Sequence, residues 1–275
     1  MLTINNNMSS MIANQLFKSQ NSNMTSLQRL STGLRINSAK DDAAGLYVSK
    51  GIETTIRGLD IANRNTYEGI SMLQVAEGAL DTVQTGLMRL NDLALLASSD
   101  TIDDGARAAY QKEATSIAEG IKTIAESTTY GSHKLLDAST TAMDLQVGTK
   151  STSQMDSGIV ATGLSSVTSL ADILAGTFDI SDATKAQALV GTVEESVNGV
   201  STMRAGMGAT MISLEGIIDR NTESSINLST ARSRIVETDY AKEMANLANT
   251  QLRQQVGLAM LGQANSSASM VLSLL

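Results

Sequence analysis

Adjacent carboxylates are the residues of this sequence that could most readily perform chemistry. Three such pairs occur, at Asp41-Asp42, Asp103-Asp104 and Glu194-Glu195. Two neighbouring carboxyl groups can act as a general acid and a general base. All three pairs, however, lie where a helix is expected to begin or on its polar face, and Asp at a helix start accepts hydrogen bonds from the free first-turn amides. We therefore interpret the pairs as helix caps and surface charges.

The remaining candidates for chemistry are isolated. His133 is the only histidine, in the loop-like context Gly-Ser-His-Lys, and the chain has no cysteine. Because a zinc site needs about four ligands, usually cysteine and histidine, a metal site is not expected. The run Gly206-Met-Gly208 is half of a nucleotide-binding fingerprint, but it lies inside an expected helix with no strand before it. We predict no catalytic group and no cofactor, and an enzyme is the class that the sequence favours least.

The composition favours long helices. The 275 residues include no proline, no tryptophan, two phenylalanines and five tyrosines. The apolar side chains are therefore mostly Leu, Ile, Val, Met and Ala, which suit narrow seams between helices. Since proline breaks helices, its absence permits uninterrupted ones. The absence of cysteine excludes disulfides and thiolate chemistry.

The net charge of −8 is unevenly distributed. Basic side chains exceed acidic ones in the first fifty residues, whereas the middle of the chain is strongly acidic. Nucleic-acid binding requires a concentrated basic surface, and no run reaches the ~18 apolar residues of a membrane span. We expect neither a nucleic-acid partner nor a membrane. The first twenty residues lack the apolar core of a signal peptide, so we expect any export to proceed without a cleaved signal.

A stop and a start of helix lie close together in residues 30–45, which we call the hinge segment. Gly33 and Asn37 are residue types that end helices because they tolerate positive φ. Ser38, Asp41 and Asp42 are types that begin them. The sequence therefore predicts one helix before the hinge segment and another after it.

The helix predicted after the hinge segment is very long. Apolar residues recur with a period near 3.5 from about Ala44 to Ser98, which indicates a coiled coil of roughly 80 Å at ~1.5 Å per residue. A turn at 98–105 precedes a shorter helix that folds back antiparallel to the first. Short strands are expected between about 128 and 181, at Leu145-Gln-Val and Phe178-Asp-Ile. A third long helix follows from about Ala183 to Ser229.

Both ends of the chain carry apolar stripes. The N-terminal stripe has a polar face of Ser, Asn and Gln, so this segment is expected to be a poor helix unless it packs against a partner. The C-terminal stripe is a strict heptad pattern with polar residues at Gln251, Gln254 and Asn265, which typically fix register or partner choice. The seam residues that we expect to drive assembly are Phe17, Met24, Leu27, Leu34, Tyr240, Met244, Leu247, Leu258, Leu261 and Leu272.

The predicted fold class is mainly α: long antiparallel helices form a coiled-coil rod with a small β-hairpin region in the middle. Three regions are expected. Residues 1–43 contain the N-terminal helix and the hinge, residues 44–230 form the rod, and residues 231–275 form the C-terminal helix.

Several runs in these regions resemble bacterial flagellin. The hinge run LQRLSTGLRINSAKDDAAG, residues 27–45, carries the likeness most clearly. Further runs that match are GIS at 69–71, EGAL at 77–80, ARSRI at 231–235, DYA at 239–241, GQAN at 262–265 and VLSL at 271–274. The likeness spans about residues 1–150 and 178–275, so the chain resembles a flagellin that lacks the large outer variable domains.

The resemblance implies a structural subunit that polymerises into the extracellular flagellar filament for motility. In flagellins the chain ends are disordered in the monomer and pair as coaxial inner-tube helices on assembly, while the following segments form the rod. The implied partners are other copies of the chain, an export chaperone at the C-terminal region, the filament cap and the hook-associated proteins. The implied route is type III export. In this setting we expect Arg35, Asn37, Lys40, Asp41 and Asp42 to make contacts between subunits where tube meets rod.

The resemblance also bears on immune recognition. Arg89, Leu93 and Glu113 match the positions at which flagellins contact the animal flagellin-sensing Toll-like receptor. Met88 and Asn91 replace the usual polar and basic residues, which would weaken recognition. Arg89 and Glu113 are equally well explained as exposed partners on neighbouring helices.

Two other functions remain open from the sequence. A hook–filament junction protein shares the terminal motifs of flagellin but is present in few copies. An intracellular coiled-coil scaffold has the same heptads but does not need the hinge sequence.

Overall fold

The computed structural model describes residues 8–137, 143–156, 164 and 167–273. Six helices lie in this part of the chain: α1 (Met8–Thr32), α2 (Ala43–Ala97), α3 (Asp104–Ser127), α4 (Thr168–Leu174), α5 (Ala183–Val236) and α6 (Tyr240–Ser273). Two antiparallel pairs of short strands accompany them: β1 (Thr129–Tyr130) with β2 (His133–Lys134), and β3 (Asp144–Gln146) with β4 (Gln154–Asp156). The mainly helical fold predicted from the sequence is confirmed.

The chain divides into two compact units. Unit 1 comprises residues 1–56 and 226–275, and unit 2 comprises residues 57–225. The long helices α2 and α5 each contribute to both units. The three regions predicted from the sequence, with boundaries after residues 43 and 230, remain a prediction.

Unit 2 is organised around the inward face of α2. The residues of this face that the 3.5-residue period predicted are buried, among them Leu73, Leu80, Leu87 and Leu90. The α5 helix runs antiparallel to this part of α2, as shown by hydrogen bonds that join Asn63 to Asn221 and Gln84 to Ser201. The buried residues of α5 in unit 2 are Ala186, Leu189, Val193, Ser196, Val200, Met207, Leu214, Ile218 and Asn221.

The α3 helix folds back on α2 as predicted. Asp103 is its N-cap, because its Oδ1 accepts a hydrogen bond from the N–H of Ala106 at 2.8 Å. The Arg107 guanidinium donates to the carbonyl of Ala97, the last residue of α2. In α2, Gly86 faces Ile121 of α3, and a Cβ at position 86 would lie 3.1 Å from Ile121 Cγ1. The lack of a side chain at Gly86 therefore permits close packing of the two helices.

The hairpin of β3 and β4 docks on the long helices of unit 2. Leu145 lies against Gly69 of α2 so closely that any Cβ at position 69 would collide with it. Beside this contact, Asn65 Nδ2 donates to the Gln146 carbonyl at 3.2 Å and Asn221 Nδ2 donates to the Val147 carbonyl at 3.0 Å. The close contact at Gly69 and the two side-chain amides therefore hold the hairpin on the long helices.

The second predicted strand is wrong. Residues 178–180 have no strand structure, although Leu145-Gln-Val does contribute to β3. The backbone of residues 178–180 pairs with a side chain instead: Gln111 of α3 donates to the Phe178 carbonyl at 3.3 Å and accepts from the Ile180 N–H at 2.7 Å. A glutamine therefore takes the place of a neighbouring strand.

The third long helix continues further than predicted. It passes through Gly206 and Gly208 without interruption and ends at Val236 instead of near Ser229. A short connection of residues 237–239 then leads to α6, whose N-cap is Asp239, since its Oδ1 accepts from the Lys242 N–H.

Candidate assembly surface

The two terminal helices, α1 and α6, pack against each other in opposite directions within unit 1. Contacts between Ser26 and Glu243 at one end, and between Leu16 and Gly257 further along, define this arrangement. A Cβ at position 257 would lie 2.8 Å from Leu16 Cδ1, so the glycine provides the space that Leu16 occupies. The two ends of the chain therefore form a helical pair.

The interface between these helices contains several polar contacts. Glu243 is only 8% exposed, and its Oε1 accepts a hydrogen bond from Ser26 Oγ at 2.5 Å. Asn23 forms a second polar contact, because it donates to Gln254 and accepts from the hydroxyl of Thr250, each at 3.2 Å. The sequence indicated Gln254 as a polar position of the stripe, but Glu243 and its partner Ser26 were not identified from the sequence.

Most of the predicted assembly residues point away from this interface. Phe17 is 66% exposed and Met24 is 69% exposed, and Leu27 lies on the same side of α1. On α6, the predicted residues Tyr240, Met244 and Leu258 are exposed. Four more large side chains expose apolar surface on the two helices: Met11, Leu252, Val256 and Met260.

The other predicted assembly residues are partly covered. Leu247 and Leu261 are half-buried on the side of α6 that faces α1, and Leu34 is half-buried beyond the end of α1. Leu272 belongs to α6, but its side chain lies outside the described residues. Alternate positions of the predicted heptad stripe thus face α1, and the positions between them remain at the surface.

The hinge segment is held by its own side chains. Gly33 ends α1 with φ = +71°, and the phenol of Tyr240 lies directly above its Cα. Asp41 Oδ2 accepts from the N–H groups of Asn37 and Ser38 at 3.1 and 2.9 Å. The hydrogen bond from the Ser38 N–H has the largest effect, followed by that from the Asn37 N–H, and together they lower the pKa of Asp41 below its ordinary value. Asp42 Oδ1 accepts from the Gly45 N–H at 2.9 Å and is the N-cap of α2.

Arg35 contacts the end of α5. Its Nη2 donates to the carbonyls of Ile235 and Arg234 at 2.5 and 3.2 Å, and its N–H donates to the Val236 carbonyl at 2.6 Å. The last carbonyls of a helix have no partner within it and carry partial negative charge, so a guanidinium is well suited to this position. The expected contacts of these hinge residues with other subunits remain predictions, and Lys40 is exposed.

The three predicted receptor residues differ in how far their side chains are exposed in unit 2. Arg89 and Glu113 form an exposed ion pair between α2 and α3, with Nη2 and Nε of Arg89 at 2.6 and 3.0 Å from Glu113 Oε1. The side chain of Leu93, by contrast, is 1% exposed and packs in the core. It presents no surface in this folded form, and the contact of these three residues with a receptor remains a prediction.

A charged cluster between α2 and α5 was not found from the sequence. Arg204 contacts Glu77 Oε1 at 2.6 Å, Asp81 Oδ1 at 2.9 Å and Gln84 Oε1 at 2.6 Å. The hydrogen bond to Glu77 and the nearby carboxylates raise the pKa of Arg204. Arg204 thus meets three residues of one α2 face that are distant from it in sequence. The spacing of residues 77, 81 and 84 on that face was the signal that could have suggested the cluster.

No enzyme-like site accompanies these features in the described part of the chain. None of its His, Asp and Glu residues form a group of three or more that could hold a metal. No described helix is long and apolar enough to cross a membrane. His133 is exposed on β2, and the pair Asp103-Asp104 lies at the start of α3, as the capping interpretation predicted.

Comparison with known families shows to which family the chain belongs. Residues 4–141 match the bacterial flagellin N-terminal helical region, and residues 190–275 match the bacterial flagellin C-terminal helical region. The chain belongs to the bacterial flagellin family. The matched regions include both terminal helices and most of α2 and α5, which are the elements described above.

Individual flagellins agree with the chain over its whole length. The chain is 38% identical to the flagellin of Halalkalibacterium halodurans over 276 residues, with all of both chains covered. It is 34% identical to the flagellin of Bacillus subtilis over 307 residues, again with both chains fully covered. A flagellar filament 33 kDa core protein of Treponema phagedenis is 32% identical over 286 residues. The likeness is therefore not restricted to the two ends of the chain.

Two solved structures share the fold. The crystal structure of Bacillus cereus flagellin is matched with a TM-score of 0.51 at 22% identity, covering 62% of this chain and 94% of that one. A Vibrio parahaemolyticus protein assigned as flagellar hook-associated is matched with a TM-score of 0.58 at 14% identity, covering 72% of this chain. At these identities the matches show the fold alone.

The family assignment settles the class of function. Flagellins are structural proteins, so the chain is a subunit of the flagellar filament and not an enzyme. The full-length relatives are filament proteins, and nothing in the comparisons favours a hook–filament junction protein or an intracellular scaffold.

Proposed function

We propose that this flagellin polymerises by burying the exposed apolar faces of α1 and α6 against neighbouring copies of the chain. The observation that carries the proposal is the outward position of Phe17, Met24, Tyr240, Met244 and Leu258 on the paired terminal helices. Contiguous apolar surface of this kind marks an interaction site. Heptad-spaced side chains on a helix pair are suited to further helices packed alongside.

The energetic gain is large because the apolar surface repeats along both helices. Complete burial of one Leu, Met or Phe side chain contributes about 1.5–3 kcal/mol. Burial of the exposed half of each would therefore contribute on the order of 1 kcal/mol per side chain. Ten such residues per subunit would together contribute on the order of 10 kcal/mol to assembly.

Oxidation of methionine can test this proposal without any substitution. Met11, Met24, Met244 and Met260 are exposed on the terminal helices, and Met88 is exposed in unit 2. Hydrogen peroxide converts an exposed thioether to the sulfoxide, and mass spectrometry of peptides gives the rate at each position. We expect the four terminal methionines to be oxidised much more slowly in filaments than in the unpolymerised protein. Equal rates in both states at all four would contradict the proposal.

A different set of exposed apolar residues on α6 supports a chaperone partner at the C-terminal region. Before assembly, Leu252, Val256 and Met260 are exposed on α6, and they line an open groove of about 520 Å³ between α6 and α1. We expect an export chaperone to cover this surface until the subunit reaches the growing filament. Replacing Leu252 and Val256 by serine should weaken chaperone binding in a calorimetric titration, whereas the same change at exposed Ile212 in unit 2 should not.

Recognition by the animal flagellin-sensing Toll-like receptor is supported by a narrower set of residues than predicted. Arg89 and Glu113 present an exposed ion pair, and Leu93 does not contribute surface. We expect Arg89→Ala to reduce activation of receptor-bearing reporter cells by unpolymerised protein. Lys122→Ala, at an exposed position of α3, is the control. Contacts with the filament cap and the hook-associated proteins, and export by a type III route, remain predictions.

A further inference from the structure

The polar contacts between α1 and α6 differ in character from the exposed apolar faces of the same helices. A heptad stripe is nearly unchanged when one helix slides along its partner by seven residues, since an apolar side chain packs acceptably against many others. Hydrogen bonds and ion pairs between particular atoms do not survive such a slide. The apolar faces therefore do not by themselves determine how the two helices are staggered.

We propose that Glu243, together with Ser26 and Arg29, fixes the register in which the terminal helices pair. The Glu243 carboxylate is buried, and each of its oxygens has a partner on α1. Oε1 accepts from Ser26 Oγ at 2.5 Å, and Oε2 lies 3.9 Å from Arg29 Nη1. Ser26 is itself buried, at 6% exposure.

The position of this cluster within the helices supports its role. Arg29 lies in the last turn of α1 and Glu243 in the first turn of α6. Each charge is therefore at the helix end where the helix dipole favours it. In the antiparallel pair these two ends meet, so the charges complement each other as well as their own helices. A parallel arrangement would separate them.

A slide of one heptad would disrupt the cluster. Glu243 would then lie opposite Ser19 or Gly33, depending on direction, and neither carries a charge. A buried carboxylate without a cationic partner is strongly unfavourable. The effect resembles that of a single buried polar residue in a coiled coil, which selects one register among several that the apolar residues permit.

Two further contacts agree with the same register. Asn23 is bonded to both Thr250 and Gln254, and Ser19 Oγ donates to the Thr250 carbonyl at 3.1 Å. Leu16 occupies the space above Gly257. One heptad away, Leu16 would face Thr250 or Ala264 and the glycine space would be unused. A fixed stagger keeps the exposed faces of α1 and α6 aligned, and the proposed mode of assembly needs that alignment in every subunit. The register proposal rests on the pairing of α1 with α6 and not on what covers their outer faces.

Distances between two spin labels can measure the register directly. The chain has no cysteine, so Asn14→Cys on α1 and Lys242→Cys on α6 introduce the only labelling sites, and both positions are exposed. Position 14 lies almost opposite residue 259, about 25 Å along the helix from residue 242 at ~1.5 Å per residue. A slide of one heptad changes that axial separation by about 10 Å. Labelled chains are diluted into filaments with the unlabelled form of the same variant, and pulsed electron resonance gives the distance distribution.

The expected result is a single distance for the otherwise unchanged chain and a second population, shifted by about 10 Å, for Glu243→Leu. The matched control is Gln255→Leu, an exposed position of the same helix, which should retain the single distance. If Glu243→Leu does not assemble, the measurement is made on Glu243→Gln and on Ser26→Ala, where a second population is again expected. A single unshifted distance in the Glu243 variant that assembles would overturn the proposal. If the outer faces of α1 and α6 are not buried on assembly, the terminal methionines would instead be oxidised equally fast in filaments and in the unpolymerised protein. The single distance between the two labels would then remain.

Discussion

Replacing Asn221 by alanine should destabilise unit 2 more than any other single amide change on α5. Asn221 is 3% exposed, and both hydrogens of its amide are used. One bonds to Asn63 Oδ1 of α2 at 3.1 Å, and the other to the carbonyl of Val147 at 3.0 Å. A single side chain therefore connects α5, α2 and the end of β3.

The magnitude follows from what the substitution leaves behind. A typical hydrogen bond contributes about 1 kcal/mol net, and a buried group left without a partner costs about 1–3 kcal/mol. Since the Val147 residue is itself buried, its carbonyl would lose its side-chain partner without full access to water. We expect Asn221→Ala to lower the free energy of unfolding by about 2 kcal/mol. For a cooperative unit of this size, that corresponds to roughly 4–8 °C in Tm.

The assay is unfolding of the unpolymerised full-length chain in guanidinium chloride, followed by circular dichroism. The midpoint should fall while the slope stays constant, because the surface exposed on unfolding is unchanged. Asn198→Ala is the matched control, since Asn198 is exposed on the same helix, and its effect should lie within about 0.5 kcal/mol of zero. If the two variants were equally stable, the interpretation of Asn221 as the residue that holds the hairpin would be refuted.

Three further predictions concern the hinge segment. Gly33→Ala should destabilise unit 1 by about 1–2 kcal/mol, measured by thermal unfolding of filaments, because φ at this position is +71° and an added Cβ would lie 3.2 Å from the Tyr240 hydroxyl. Arg35→Glu should impair assembly or change filament shape in electron micrographs, because a carboxylate would replace the guanidinium at the Ile235 carbonyl. The helicity of unit 2 should stay constant. Loss of helicity in the unpolymerised chain would instead indicate that Arg35 has a local role. Asp41→Asn should reduce the acid sensitivity of filaments below about pH 4. The pKa of Asp41 is lowered in the folded chain, so its stabilising contribution is present above its ordinary value of 3.8 and is lost as the pH falls below it; an unchanged pH profile of filament dissociation would contradict this.

The long helices were predictable from the sequence because one signal determines them. Apolar residues recur about every 3.5 positions along α2, and no proline interrupts the helix. Those recurring apolar residues are buried from Leu59 to Ala97, as expected. The hinge segment was equally clear. A helix end with positive φ favours glycine, as at Gly33, and an N-cap favours a short side chain with an oxygen acceptor, as at Asp42. The structure uses Gly33 to end α1 and Asp42 to begin α2.

Contacts between segments distant in sequence were not predictable in the same way. Gln111 replaces a strand partner for residues 178–180, and no local pattern distinguishes it from an exposed glutamine of a helix. Glu243 resembles an ordinary acidic residue of a first helical turn until Ser26 is placed beside it. The apolar stripes of α1 and α6 and the polar position Gln254 were found, but the sequence could not show that much of the apolar surface faces outward.

Assembly of a chain that lacks residues 256–275 shows directly whether the terminal helices drive polymerisation. This deletion removes Val256, Leu258 and Met260 from the exposed face of α6 but leaves unit 2 and its core intact. Electron microscopy of the truncated protein at concentrations where the complete chain polymerises should show no filaments, while guanidinium unfolding shows that unit 2 keeps its stability. Normal filaments built from the truncated chain would contradict assembly driven by the terminal helices.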